Sequence, residues 1–163
     1  MIIRGFTYLL VEARWKSLGP ESSQPDLLDY ERLLKTLLRY KRHEELVNAC
    51  NVTSKAYPKA TLPVELLAMV YVDGGDKSSL VDFSVVLEHV ELHRPDILVG
   101  SSPWVSLARG CYYFQSGKDL TLARNYLEVG LQKQPNMKAL LVYANLLLAL
   151  KEHSSAFHIL TRE

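Results

Sequence analysis

His89 and His93 stand four residues apart in the segment His89-Val90-Glu91-Leu92-His93. On a helix both rings would share one face, a spacing that can hold zinc. The zincin arrangement needs its glutamate directly after the first histidine, whereas Glu91 comes one position later, and no third ligand lies nearby in sequence. Solvent-facing histidines are the other reading, and no metal site is assigned. Cys50 and Cys111 have no activating histidine or lysine beside them in sequence. Gly74-Gly75 has no further glycines at phosphate-cradling spacing, so it reads as a loop between helices. No nucleophile elbow and no Cys-x-x-Cys pair occurs. Catalysis needs positioned acids, bases or metals, so the chain is expected not to be an enzyme and to need no cofactor.

Charge offers a binding chemistry instead. Arg32, Lys35 and Arg39 are spaced i, i+3 and i+7, which puts them on one face of a helix. Leu33, Leu34, Leu37 and Leu38 cover the other face, and Lys41 and Arg42 extend the positive charge into the following turn. Such a stripe either meets acidic residues of a peptide or is a solvated face with Asp29, Glu31, Glu44 and Glu45 as local counter-charges. Lys plus Arg number 19 against 18 for Asp plus Glu, a net charge of +1. A dedicated nucleic-acid binder shows a clear basic excess, so direct nucleic-acid binding is not expected.

With 163 residues, 48% hydrophobic and 23% charged, the chain has the composition of one globular domain rather than of a disordered segment. Two cysteines cannot build a disulfide framework and read as buried thiols, which points to a reducing compartment, the cytosol or the nucleus. The first stretch, 1–16, is apolar but interrupted by Arg4, Glu12 and Arg14, so it is not read as a signal peptide. The most apolar run, 139–150, contains Asn145 and is shorter than the ~20 residues that cross a bilayer, so no membrane association is expected. Asn51-Val52-Thr53 matches a glycosylation acceptor but falls within a helical pattern and is taken as a chance match.

The elements that must carry these residues are helical throughout. Apolar residues recur at intervals of three and four, and nowhere in sustained strict alternation. Examples are Val64, Leu67, Ala68 and Tyr71; Phe83, Val86, Leu87 and Val90; Leu120, Ala123, Leu127 and Leu131; and Leu140, Tyr143, Leu147 and Leu150. Pro58, Pro95 and Pro135 each close a helical pattern. Ser102-Pro103 reads as an N-cap followed by proline at the first helical position, and Gly117 as a left-handed helix stop. The pattern predicts nine helices, over 2–17, 27–40, 43–57, 63–72, 78–94, 103–116, 118–134, 137–150 and 152–163. The N-terminal helix, within 1–19, reads as a cap or half repeat. Residues 20–26 read as a linker, and 27–163 as a helical repeat domain of about four helix pairs.

The closing prolines recur at roughly 40 residues, within the range of helical repeats. The best unit runs from Leu107 through Gly110, Cys111 and Phe114, the turn Gly117-Lys118, then Ala123, Leu127 and Gly130 to Pro135. This resembles the tetratricopeptide repeat, and its second half is similar to the half-a-tetratricopeptide class. The resemblance covers about Tyr30 to Glu163. Leu46 and Thr53 depart from it where the family has alanine, and the spacing exceeds the family's ~34 residues.

The resemblance implies an all-α, right-handed superhelix of stacked antiparallel helix pairs. It also implies a concave groove lined by the first helix of each pair. Carried onto this chain, that face holds Glu31, Arg32, Lys35 and Arg39 in one pair. It holds Arg109, Tyr112, Gln115 and Ser116 in the best unit, and Val142, Tyr143 and Leu146 in the last. Such a groove would take an extended or helical peptide with acidic residues. The family's carboxylate clamp wants asparagine where Tyr112 and Leu146 stand, which argues against a receptor for chaperone tails. The expected role is a protein-interaction scaffold or adaptor with a protein or peptide partner. The alternatives are a subunit of a nuclear RNA-processing or transcription complex and, last, a metal-binding enzyme. Ala156, Phe157, Ile159 and Leu160 at the end of the array predict self-association through uncovered helix ends.

Overall fold

The structure is a computed structural model that describes residues 26–99 and 102–161. The expected helix at 2–17 lies outside them, as does the linker at 20–26 apart from its last residue. All regular structure in the described residues is helical. The α-helices are α1 (Leu27–Arg39), α2 (His43–Ala56), α3 (Thr61–Asp73), α4 (Phe83–His93), α5 (Pro103–Ser116), α6 (Leu120–Lys133), α7 (Met137–Ala149) and α8 (His153–Thr161). Two 3-10 segments, Gly75–Leu80 and Pro95–Val99, flank α4. The chain divides between Pro63 and Val64 into two compact units.

Most helices begin on a side chain that accepts an otherwise orphaned backbone N–H. Asp26 accepts from the N–H of Asp29, Asp82 from Ser84, Ser102 from Val105, Asp119 from Leu122 and Asn136 from Ala139. These caps correct two expected boundaries. Helix 78–94 is a 3-10 turn followed by α4, because Val81 is extended and Asp82 starts a new helix. Helix 118–134 begins at Leu120, because Asp119 spends its carboxylate as the cap.

In the first unit α1 and α2 form a hairpin that buries Leu34, Leu37, Leu46, Val47, Cys50 and Thr53. The Thr53 hydroxyl donates to the carbonyl of Ala49 at 2.7 Å, so a polar residue sits fully buried with its hydrogen bond made locally. Tyr30 and Tyr57 meet edge to face at 5.7 Å.

In the second unit the closest approach is between α5 and α6. Both glycines in this pair are buried under the facing helix. A Cβ at Gly110 would lie 2.5 Å from Leu127 Cγ and 3.1 Å from the carbonyl oxygen of Ala123. One at Gly130 would lie 2.6 Å from Leu107 Cδ2 and 3.1 Å from the Leu107 backbone nitrogen. Ala123, Leu107 and Leu127 are fully buried. The helix α7 packs on α6 and α8, and reaches α5. The end of α3 is fastened to the start of α7: Lys138 Nζ donates to the Asp73 carbonyl oxygen at 2.5 Å, and Asn136 Nδ2 to Asp73 Oδ1 at 3.1 Å.

The hairpin turns α1–α2 and α7–α8 share one closure. Lys41 and Lys151 take positive φ, 55° and 62°. In the first, the Lys41 N–H reaches the Leu38 carbonyl and the Arg42 N–H reaches that of Leu37, each at 3.0 Å. In the second, Lys151 reaches Leu148 at 3.0 Å and Glu152 reaches Leu147 at 2.8 Å. This is the Schellman pattern, usually built on glycine. Gly117 fills the same left-handed role after α5, with φ 66°.

Two predictions follow from this backbone. Gly110→Ala and Gly130→Ala should each lower the melting temperature, although alanine gains ~1 kcal/mol over glycine in helix propensity. The reason is that the added Cβ would press on the fully buried Leu127 or Leu107 and on facing backbone at 3.1 Å. Lys41→Gly and Lys151→Gly should each stabilise by about 0.5–1 kcal/mol, since glycine relieves the left-handed strain at some entropic cost. Urea titrations of the four variants check both signs.

Candidate interaction site

The basic stripe of α1 lies as the spacing predicts. Arg32, Lys35 and Arg39 are exposed, Glu31 is half-buried, and none of the three cations has an ion pair among the described residues. Of the flanking charges, Arg42 pairs with Glu45 at 3.3 Å.

The residues expected to line a groove in the second unit fall in different environments. Arg109 is 7% exposed. Its guanidinium lies 4.0 Å above the Tyr126 ring, 5.9 Å from that of Tyr113, and its Nη1 donates to the Leu98 carbonyl at 3.2 Å. It is a strut joining the 95–99 segment to α5 and α6, held by its planar cation on an aromatic face. Tyr112 is half-buried beside Phe83 at 5.8 Å, and Phe83 stacks on Tyr71 at 5.0 Å. Gln115 is exposed and accepts the Tyr71 hydroxyl at 2.7 Å. Tyr143 is buried, as is Leu146, so this face of α7 points into the fold.

Tyr143 belongs to a network that the sequence reading missed. Its hydroxyl donates to Glu128 Oε1 at 2.6 Å. Arg124 Nε donates to the same oxygen at 3.0 Å, and Arg124 Nη1 to Glu152 Oε1 at 2.7 Å. The network ties α6 to α7 and to the α7–α8 turn. The Tyr143 hydrogen bond, helped by Arg124, holds the Glu128 carboxyl below the usual range against some desolvation. Burial, then the hydrogen bond to Glu128 and its charge, pushes the Tyr143 phenol up to about 12. Arg124 and Glu128 at i, i+4 were a readable signal; Glu152 and Tyr143, brought in by packing, were not.

Glu128 also lines an open groove of about 390 Å³ together with Leu131 and Gln132 of α6, Leu140 and Tyr143 of α7, and Ile159 of α8. Apolar side chains of α7 and α8 also remain in solvent. On α7, Met137, Leu141 and Leu148 are exposed at spacings of four and seven, one helical face. On α8, Phe157 is 70% and Leu160 50% exposed, whereas Ala156 is buried and Ile159 half-buried.

The candidate reactive groups are elsewhere. Cys50 and Cys111 are buried, and burial raises each thiol to about 12, which leaves almost no thiolate at neutral pH. The His89 and His93 rings lie 4.7 Å apart, and the described residues contain no group of three potential metal ligands. No described helix is long and apolar enough to cross a membrane. Comparison with protein-family models, with curated proteins and with solved structures finds no match for the chain.

The network sets a pH dependence. The folded pKa of Glu128 is depressed, so its contribution is present above the ordinary value of 4.5 and is lost as the pH falls through the folded value. The folded pKa of Tyr143 is raised, so its contribution is present below 10.0 and is lost between there and about 12. Tyr143→Phe should therefore cost about 1 kcal/mol at neutral pH. Its deficit against the parent chain should shrink at both extremes, as measured by urea unfolding across pH.

Proposed function

We propose that this chain is a protein-interaction module, a tetratricopeptide-like array whose helix pairs stack as a right-handed superhelix and dock a protein partner. The observation that carries the reading is the uncovered apolar face of α7 and α8, where Met137, Leu141, Leu148, Phe157 and Leu160 stand in solvent. Single exposed apolar residues are ordinary, but a helical-period set on consecutive helices marks a surface meant to be covered. The close α5–α6 crossing through Gly110, Ala123 and Gly130 supports the repeat grammar, since a pair packed this tightly buries one face and leaves the other for a neighbour. The stripe Arg32, Lys35 and Arg39, without an ion pair among the described residues, supplies a second surface of opposite character, fitted to acidic groups.

Quantitative co-purification of the tagged chain, with and without nuclease, tests the reading. Nuclease-resistant partners should be retained by the parent chain and lost from Leu141→Asp/Phe157→Asp, with helical content unchanged by circular dichroism. An identical partner set for the variant removes the apolar face as the docking surface. Partners released by nuclease and by charge reversal of Arg32, Lys35 and Arg39 would instead favour the subunit of an RNA-processing complex.

A further inference from the structure

The groove between α6, α7 and α8 has a chemistry of its own. Leu131, Leu140, Ile159 and the ring of Tyr143 make its apolar wall, and Glu128 and Gln132 its polar one. Glu128 is fastened through one oxygen alone: Oε1 takes both the Tyr143 hydroxyl and Arg124 Nε. No hydrogen bond from the described residues reaches Oε2. The carboxylate is thus held in place while half of its accepting capacity remains unused.

Within this network the charges do not cancel. One guanidinium, Arg124, serves two carboxylates, Glu128 and Glu152. A purely apolar occupant would strip water from Glu128 without replacing its hydrogen bond, and an acidic one would be repelled. An occupant that pairs an apolar anchor with a cation satisfies both walls. The cavity, at about 390 Å³, lies near the lower end of binding pockets, ~300–1,000 Å³, and is open to solvent. That shape suits one large side chain presented by a rigid scaffold, the helix-in-groove mode.

We infer that this groove receives a helical segment of a partner protein that inserts one large aliphatic or aromatic side chain against Leu131, Leu140 and Ile159 and sets a lysine or arginine, three or four residues away, on Glu128. The inference rests on the interaction-module reading and specifies the partner's chemistry at one of its surfaces. Because only one oxygen of Glu128 is open, a bidentate fork gains nothing, and lysine should serve as well as arginine.

The test is selection of a phage-displayed library of random sequences on a helical peptide scaffold against the whole chain. Fluorescence anisotropy on the synthesised winners follows. Winners should carry a large apolar residue with a lysine or arginine three or four positions away, without preference between the two cations. Glu128→Gln keeps acceptors for Tyr143 and Arg124 and should weaken binding roughly ten-fold, the worth of a charged hydrogen bond. Ile159→Ala should also weaken it, and added salt should erode the difference between parent and Glu128→Gln. Thermal melts confirm that both variants fold. Winners that carry neither lysine nor arginine at those positions, or binding within about two-fold of the parent in Glu128→Gln, would overturn the inference. Winners sensitive to Leu141→Asp and indifferent to Glu128→Gln would overturn it while leaving the interaction module standing. A library that yields no winner also overturns it, and the co-purification experiment then decides the broader reading independently.

Discussion

The second unit is organised by the distance at which α5 and α6 cross. Gly110 and Gly130 face each other's helix with no space for a methyl group, and Leu127 and Leu107 lie across the two gaps at 0% exposure. Side chains at these points would push the axes apart, and contact energy falls steeply with separation. The ridge that follows on α6, through Arg124, Leu127 and Glu128, then sets where α7 can lie. The Arg124–Glu128–Tyr143 bonds join two elements whose spacing the glycines have already determined. The part-buried network contributes modestly to stability, but its geometry decides which way the Glu128 carboxylate is turned.

Much of the helical framework was readable in the residues because periodicity reports which face is buried. The stripes at Leu34 and Leu37, at Phe83, Val86, Leu87 and Val90, and at Ala123 and Leu127 are all buried. Ser102-Pro103 and Gly117 act as the start and stop their chemistry suggests. The missed boundaries have a common cause. An aspartate that caps a helix and one that sits in its first turn look alike in sequence, so Asp82 and Asp119 were absorbed into the helices they begin. At Lys41 and Lys151, hairpin geometry imposes a left-handed residue where no glycine announces it.

The surface was less readable than the core. The tetratricopeptide resemblance implies a groove face that holds Arg109 and Tyr143, yet both are buried. Arg109 is drawn in by the Tyr126 ring and the Leu98 carbonyl, and Tyr143 by Glu128. Both side chains are long and amphipathic, so they can bury their apolar part where packing supplies a polar partner, fully for the Tyr143 hydroxyl and in part for Arg109, whose Nε stays without one among the described residues. The partner lies 11 or 15 positions away in sequence, beyond any local pattern. The α1 stripe was readable because nothing in the described fold competes for it.

The two cysteines fall one to each compact unit, Cys50 in the first and Cys111 in the second, at 0% and 5% exposure. A thiol reagent in water can reach neither until its own unit opens. The pair therefore forms a built-in clock. The rate at which each sulfur is labelled reports the opening equilibrium of its unit, at sites where no dye or tag had to be engineered. Two phases would mean that the units breathe independently, and one shared phase that the chain opens as a single cooperative body.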